Sequence, residues 1–145
     1  MAIDILNRQR LVRIQKERMI NLIDGALESV GKHGSDLTVL FVRDGAMRAL
    51  NRKYRHADRP TDVLSFPIAE HGAASPGFDI GQLGDVVVST DTALRQAQEA
   101  RHPIEREIDE LVIHGVLHLC GYDHETDNGE MNRLELKLRR KLLSK

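Results

Sequence analysis

Apolar positions along this chain change period several times, and each change marks an element. Ile3 and Ile5 alternate with polar neighbours, the two-residue period of a half-buried strand. From about Arg10 to Val30 the period lengthens. Ile14, Leu22, Ile23, Ala26, Leu27 and Val30 fall on one helical stripe, and Gly31 and Gly34 stop it. Residues 37–42 are short, apolar and β-rich, as a buried strand is. Asp44 is placed to cap the next helix, which turns Ala46, Met47, Leu50 and Tyr54 inward. Pro60 closes the helical option, and residues 63–66 form a strand that Pro67 stops. Residues 68–81 are rich in Gly, Ala, Ser and Pro and read as a mobile loop, with a lid as its functional version. A further strand covers residues 83–88, with Asp85 at its start. Ser89, Thr90 and Asp91 are candidate caps for a helix running to about Arg101.

The last third is helical. His102-Pro103 opens a helix whose first turn carries Glu105 and Glu107 at the positive end of the dipole. Ile104, Ile108, Leu111, Val112 and Gly115 supply its packed side, while Glu107, Glu110, His114 and His118 cluster on another side. Glu110 is thereby either a support for His114 or a solvated carboxylate. A final helix begins at Asp127, with Glu130 three residues on as a capping box, and ends near Leu143. About four strands and five helices follow, with the last two helices adjacent. The expected fold is α+β: a small mixed sheet with a helical layer, and not a doubly wound one.

At 145 residues the chain is expected to form one domain over 1–145. With 41% hydrophobic and 30% charged residues it falls in the globular class, and without Trp its core must be aliphatic. No apolar run is long enough for a membrane span, and residues 1–10 lack a signal-peptide pattern. The single cysteine, Cys120, excludes an intramolecular disulfide, so a cytoplasmic location is expected. No Gly-rich phosphate loop precedes a helix, which argues against a nucleotide cofactor.

The net charge of −1 conceals an uneven distribution. Residues 61–130 hold 3 Lys and Arg against 14 Asp and Glu, and the remainder 18 against 8. Arg43, Arg48, Arg52, Lys53, Arg55 and Arg59 crowd one stretch, and Arg133, Lys137, Arg139, Arg140, Lys141 and Lys145 another. One by one these are solvated side chains; together they suit a polyanionic partner.

The densest chemistry lies in His114-Gly-Val-Leu-His118-Leu-Cys-Gly121-Tyr-Asp-His124. His114 and His118 are one helical turn apart and leave the same face. Gly121 ends the helix, and the return of the chain lets His124 approach. Three neutral imidazoles with one open position suit a catalytic zinc ion. The spacing is also that of metzincin proteases, but those require a glutamate general base directly after the first histidine, and here that position is Gly115.

The string His114-Gly-x-Leu-His118-Leu-x-Gly121-Tyr122-Asp123-His124 resembles the YbeY family of bacterial metal-dependent endoribonucleases. The stretch from Asn51 through Tyr54, Arg55 and Asp58 to Pro60-Thr61-Asp62-Val63-Leu64-Ser65-Phe66-Pro67 is similar to a second signature of that family, and Gly84-Asp85 with the following strand to a third. The similarity spans nearly the whole chain. It implies one zinc ion on His114, His118 and His124, a catalytic Arg55, and cleavage of RNA in rRNA maturation, notably at the 3′ end of the small-subunit rRNA. It also implies a link to ribosome quality control, with the ribosome or its small-subunit precursors as partner.

Arg55 fits that chemistry, since a guanidinium presents a planar, permanent charge to nonbridging phosphate oxygens. Asp123 either orients a ligating imidazole or holds the turn, and Asp85 either supports the site or fixes a loop. Tyr122 and Cys120 read as packing residues. Two other functions compete: a zinc peptidase of metzincin-like geometry, and a non-catalytic ribosome-assembly module with a structural zinc.

Overall fold

The computed structural model describes residues 3–68, 82–123 and 128–143. The elements run β1 (Ile3–Asn7), α1 (Lys16–Ser29), β2 (Asp36–Val42), α2 (Asp44–Arg55), β3 (Val63–Pro67), β4 (Gln82–Ser89), α3 (Thr90–Ala100), α4 (Ile104–Leu119) and α5 (Glu130–Leu143). This is the expected α+β architecture of four strands and five helices. The expected loop over 68–81 falls, from residue 69 on, outside the described residues, as do His124 and Asp127.

The strands form one sheet in the order β1-β2-β4-β3. β1, β2 and β4 run parallel, and β3 lies antiparallel to β4 at the edge. Successive strand residues face opposite sides, so the register builds rows across the sheet. Ser65, Val86, Val39 and Ile5 form one such row. On that side Leu37, Val39, Phe41, Val86 and Val88 are buried under α1, α4 and α5, with Met19, Ile23, Leu27, Val112, Val116, Met131 and Leu138. On the other side Val42, Leu64 and Val87 pack against Met47 of α2.

Several sequence expectations need correction. α1 starts at Lys16 rather than near Arg10, because Gln9 organises the preceding turn: its amide nitrogen donates to Val12 O and its amide oxygen accepts from Val12 N. α2 does not bury all of its expected face; Met47 is buried, but Ala46 is exposed and Tyr54 is 46% exposed, since α2 covers only part of the sheet. Asp44 does not cap its own helix. It reaches across to α3, accepting from Ser89 Oγ at 2.6 Å and Thr92 Oγ1 at 2.7 Å, while Asp91 of α3 accepts from Asp44 N at 2.8 Å. Asp91 thereby caps the start of α2, while α3 is capped by Ser89, whose Oγ accepts from Thr92 N at 3.4 Å. α5 begins at Glu130, whose Oε2 accepts from Asn128 N at 2.6 Å.

No helix among the described residues is long and apolar enough to cross a membrane.

Candidate active site

The site is built on α4, the most deeply packed helix. Ile108, Leu111, Val112, Ile113, Val116, Leu117 and Leu119 are all buried. Each large side chain so placed stabilises by roughly 1.5–3 kcal/mol. α4 touches α1, α3, α5, β3 and β4. Asp109 adds a polar clamp, receiving Arg18 of α1 through both carboxylate oxygens at 2.7 and 3.0 Å. The helix can lie this close to the sheet because of Gly115. A Cβ there would sit 2.5 Å from Val86 Cγ1 and 3.4 Å from Ser65 Oγ. The residue that a peptidase would need as glutamate is therefore a contact point between helix and sheet.

Packing on this scale fixes the direction of the two histidines. His114 Nε2 and His118 Nε2 converge to 3.0 Å, with their rings edge-to-face at a centroid distance of 4.6 Å. Just beyond, the helix ends in a Schellman turn: Tyr122 N donates to Leu117 O at 3.1 Å and Gly121 N to His118 O at 3.0 Å, with Gly121 at φ +99. Only glycine adopts that conformation without strain. The turn folds the chain back over the histidines, so that Gly121, Tyr122 and Asp123 line the same cleft.

Arg55 arrives from the other side of the sheet. It is the last residue of α2, where His56 takes a left-handed conformation (φ 58) and turns the chain. The side chain of Asn51 secures that turn by donating to Arg59 O at 2.9 Å. β3 is the edge strand, and Arg55 Nη2 donates to Ser65 O at 3.0 Å. The same Ser65 donates through Oγ to Gly115 O at 3.3 Å, so one strand residue ties Arg55 to α4. Arg55, Ser65, Pro67, His114, His118 and Asp123 together line a cleft of about 440 Å³.

The structure thus brings His114, His118, Arg55 and Asp123 together. It does not bring Asp85 to them. Val86 faces α4, so its neighbour Asp85 faces the opposite side of the sheet, where it lines a separate groove with Leu40, Tyr54, Phe66 and Val87. Partial burial there pushes its carboxyl above the ordinary range. His124 lies outside the described residues. Cys120 is half-buried, and burial holds its thiol up at about 11, which suits packing and not reaction.

One carboxylate beside His114 escapes the reading of the sequence. Glu135 Oε1 of α5 lies 2.7 Å from His114 Nδ1, and Glu135 is only 4% exposed. Glu110, the candidate for that place, instead lies 3.0 Å from Arg106 Nε and 3.8 Å from Arg139 Nη1. Helical geometry explains the outcome, since Glu110 sits on α4 itself and α5 packs across His114 from outside. A signal did exist. Met131, Glu135 and Leu138 share the inward stripe of α5, and a charged residue on such a stripe needs a buried partner.

The described residues hold no group of three metal-ligating side chains, but the spacing of these two imidazoles fits one zinc ion. Two imidazole nitrogens on one tetrahedral ion at 2.0–2.1 Å stand roughly 3.3 Å apart, close to the separation of the two Nε2 atoms. The carboxylate on His114 Nδ1 is the usual companion of a metal-ligating histidine.

Fold and cleft together define a mixed α+β protein with two converging histidines and one arginine on a shared cleft. A family model described as endoribonuclease YbeY matches residues 4–143. The chain is 40% identical to the endoribonuclease YbeY of Aquifex aeolicus (strain VF5), over 97% of this chain and 90% of that one. It is also 40% identical to that of Geobacter metallireducens, over 96% and 92%. The solution structure of TM1509 from Thermotoga maritima superposes with a TM-score of 0.64 at 30% identity, covering 97% of this chain and 89% of the other. The chain belongs to the endoribonuclease YbeY family.

Proposed function

We propose that this protein is a zinc-dependent endoribonuclease that cuts single-stranded RNA in rRNA processing, at the 3′ end of the small-subunit rRNA, and takes part in ribosome quality control. The observation that carries the reading is the shared cleft: a permanent guanidinium and a converging histidine pair face one space open to a chain of phosphates. Family membership supports the same reaction.

His114, His118 and His124 would hold the ion. Such an ion, when bound, supplies Lewis acidity toward a phosphoryl oxygen and lowers the pKa of a coordinated water toward about 7. Arg55 supplies what the ion does not. Its bond to Ser65 O uses one of five guanidinium N–H groups, which anchors the fork while leaving donors for the nonbridging oxygens. Charge on those oxygens grows toward the transition state, so a prepositioned cation binds that state more tightly than the substrate. Ser65 holds Arg55 and α4 at a fixed separation, so cation and histidines meet the phosphodiester as a unit. The basic side chains of α2 next to Arg55 suit the flanking phosphates.

Gly115 weighs against the peptidase alternative, because the Cβ of a glutamate there would lie 2.5 Å from Val86 Cγ1. The test is cleavage of single-stranded and structured RNA by wild type, His114→Ala and Arg55→Ala, with the metal content of each measured. Cleavage lost in both variants and zinc lost only in the first supports the reading. Full cleavage by both overturns it. Products ending in 2′,3′-cyclic phosphate would identify the RNA's own 2′-hydroxyl as nucleophile, and 3′-hydroxyl with 5′-phosphate ends would identify water.

A further inference from the structure

We propose that buried Glu135 and its half-buried partner Arg139 on α5 are the positioning device of the site, setting the tautomer and direction of His114 so that its Nε2 points into the cleft. The inference rests on the metal-site reading above and assigns it a support on a different helix.

The argument begins with what Glu135 costs. It lies between Met131 and Leu138, both fully buried, on the stripe that docks α5. An apolar residue there would serve the fold at least as well, since buried charge pairs are often replaced by hydrophobic groups without loss of stability. Among the described residues the Glu135 carboxylate meets His114 and Arg139. Oε1 meets His114 Nδ1 at 2.7 Å, and Oε2 accepts from Arg139 Nη2 at 3.2 Å. An ionised carboxylate only accepts hydrogen bonds, so Nδ1 of His114 carries the proton and the lone pair of the neutral ring is on Nε2. That is the nitrogen turned toward His118 Nε2 and the cleft. Without the carboxylate, either tautomer would be open to the ring.

Arg139 keeps Glu135 in place. Its guanidinium stands between Glu135 and Glu110, 3.8 Å from the latter, and Arg106 Nε closes the far end on Glu110 at 3.0 Å. The alternating row Arg106, Glu110, Arg139, Glu135, His114 crosses from α4 to α5 and back. Two links of the row cross between the helices, Glu135 to His114 and Arg139 to Glu110; sliding α5 along α4 would break both, so the row holds Glu135 at a fixed height beside His114.

The experiment compares wild type, Glu135→Gln and Arg139→Met at one pH, each prepared metal-free. Long-range proton–nitrogen NMR reads the His114 tautomer, competition with a chromogenic chelator reads zinc affinity, and thermal melting checks the fold. Wild type should show the Nδ1–H tautomer. Glu135→Gln, whose amide can offer either an oxygen or an NH2 group to the ring, should show mixed tautomers and zinc binding weaker by about 10- to 100-fold. Arg139→Met should weaken zinc several-fold, with melting unchanged. A merely structural pair would shift melting and leave tautomer and affinity alone, and that result overturns the inference. If Glu135→Gln does not fold, Arg139→Met decides in the same way. Wild type that takes up no zinc sinks the metal reading and the inference together; normal uptake by wild type and both variants sinks the inference alone.

Discussion

The two helices that meet at the cleft are held by different physics. α4 is buried against three helices and two strands, and its histidines point where packing sends them. α2 covers one side of the sheet with Met47 and Asn51 as its buried residues, and much of its surface is charged. Polar links hold its two ends: the reciprocal Asp44 and Asp91 contacts with α3 at the start, and Asn51, Arg55 and the edge carbonyl of Ser65 at the finish. Arg48 and Asp58 add a bidentate pair at 2.8 and 3.1 Å across the turn. A packed helix sets atoms to a fraction of an ångström but tolerates no change in volume. A polar-anchored helix tolerates change and presents cations to solvent, which suits the reading of a long, variable polyanion. On the proposed reading, the histidine pair and Arg55 are divided along that line.

Substitutions should separate the two. The largest effect is expected at His114 and His118. Alanine at either removes an imidazole nitrogen from the pair, and both zinc uptake and RNA cleavage should fall to background. Zinc uptake at wild-type level by either variant would show that the Nε2 pair is not the ligand set. Arg55→Ala should lower cleavage by about 10²- to 10³-fold while zinc affinity stays unchanged and the melting temperature falls only slightly, since Asn51 still holds the turn. Arg55→Lys should recover little of that loss, because an ammonium cannot both reach Ser65 O and present a planar fork. If Arg55→Ala also loses zinc, the division between the helices is wrong.

Much of this was legible from residue order. The alternation of Ile3 and Ile5, the stripe of Leu22, Ile23, Ala26 and Leu27, and the Pro60 and Pro67 stops located elements that the structure shows. His114, His118 and Gly121 revealed their helix and its end because helical period and a glycine stop act locally. The pairing of Glu135 with His114 was hidden, since it depends on how α5 crosses α4, and 21 residues separate the partners. The same holds for Asp44, whose partners Ser89 and Thr92 lie more than 40 residues on. Asp85 misled for the opposite reason: proximity in sequence to the strand beneath the site says nothing about its face until Val86 is known to point at Gly115. A close contact such as Gly115 against Val86 leaves no trace in periodicity at all.

Gly115→Ala tests the packed half directly. The added methyl group would lie 2.5 Å from Val86 Cγ1, so helix or sheet must give way. Overpacking of this kind costs about 1–3 kcal/mol, read as a lower denaturant midpoint with an unchanged slope. Zinc affinity should fall along with it, since His114 is the adjacent residue. Pairing the change with Val86→Ala should restore much of the stability, and no restoration would place the strain elsewhere.

The polar half has the smallest and most condition-dependent signature. Burial raises the Asp44 carboxyl, but the Ser89 and Thr92 hydroxyls and Arg95 outweigh it and hold the group below its ordinary value. Asp91, bonded by Arg43 and the Asp44 amide, is held low as well. A depressed folded-state pKa means the unfolded chain binds the proton more readily, so the stabilisation is complete above the ordinary carboxylate range and fades as pH falls through the depressed values. For Asp44 it amounts to about 1 kcal/mol. Asp44→Asn should therefore melt below wild type at neutral pH, and the gap should close on acidification. A gap independent of pH would show that shape at the α2–α3 junction, and not charge, anchors the helix carrying Arg55. Because Arg55 sits at the far end of α2, secured separately by Asn51 and Ser65, cleavage at neutral pH should change far less in this variant than melting does.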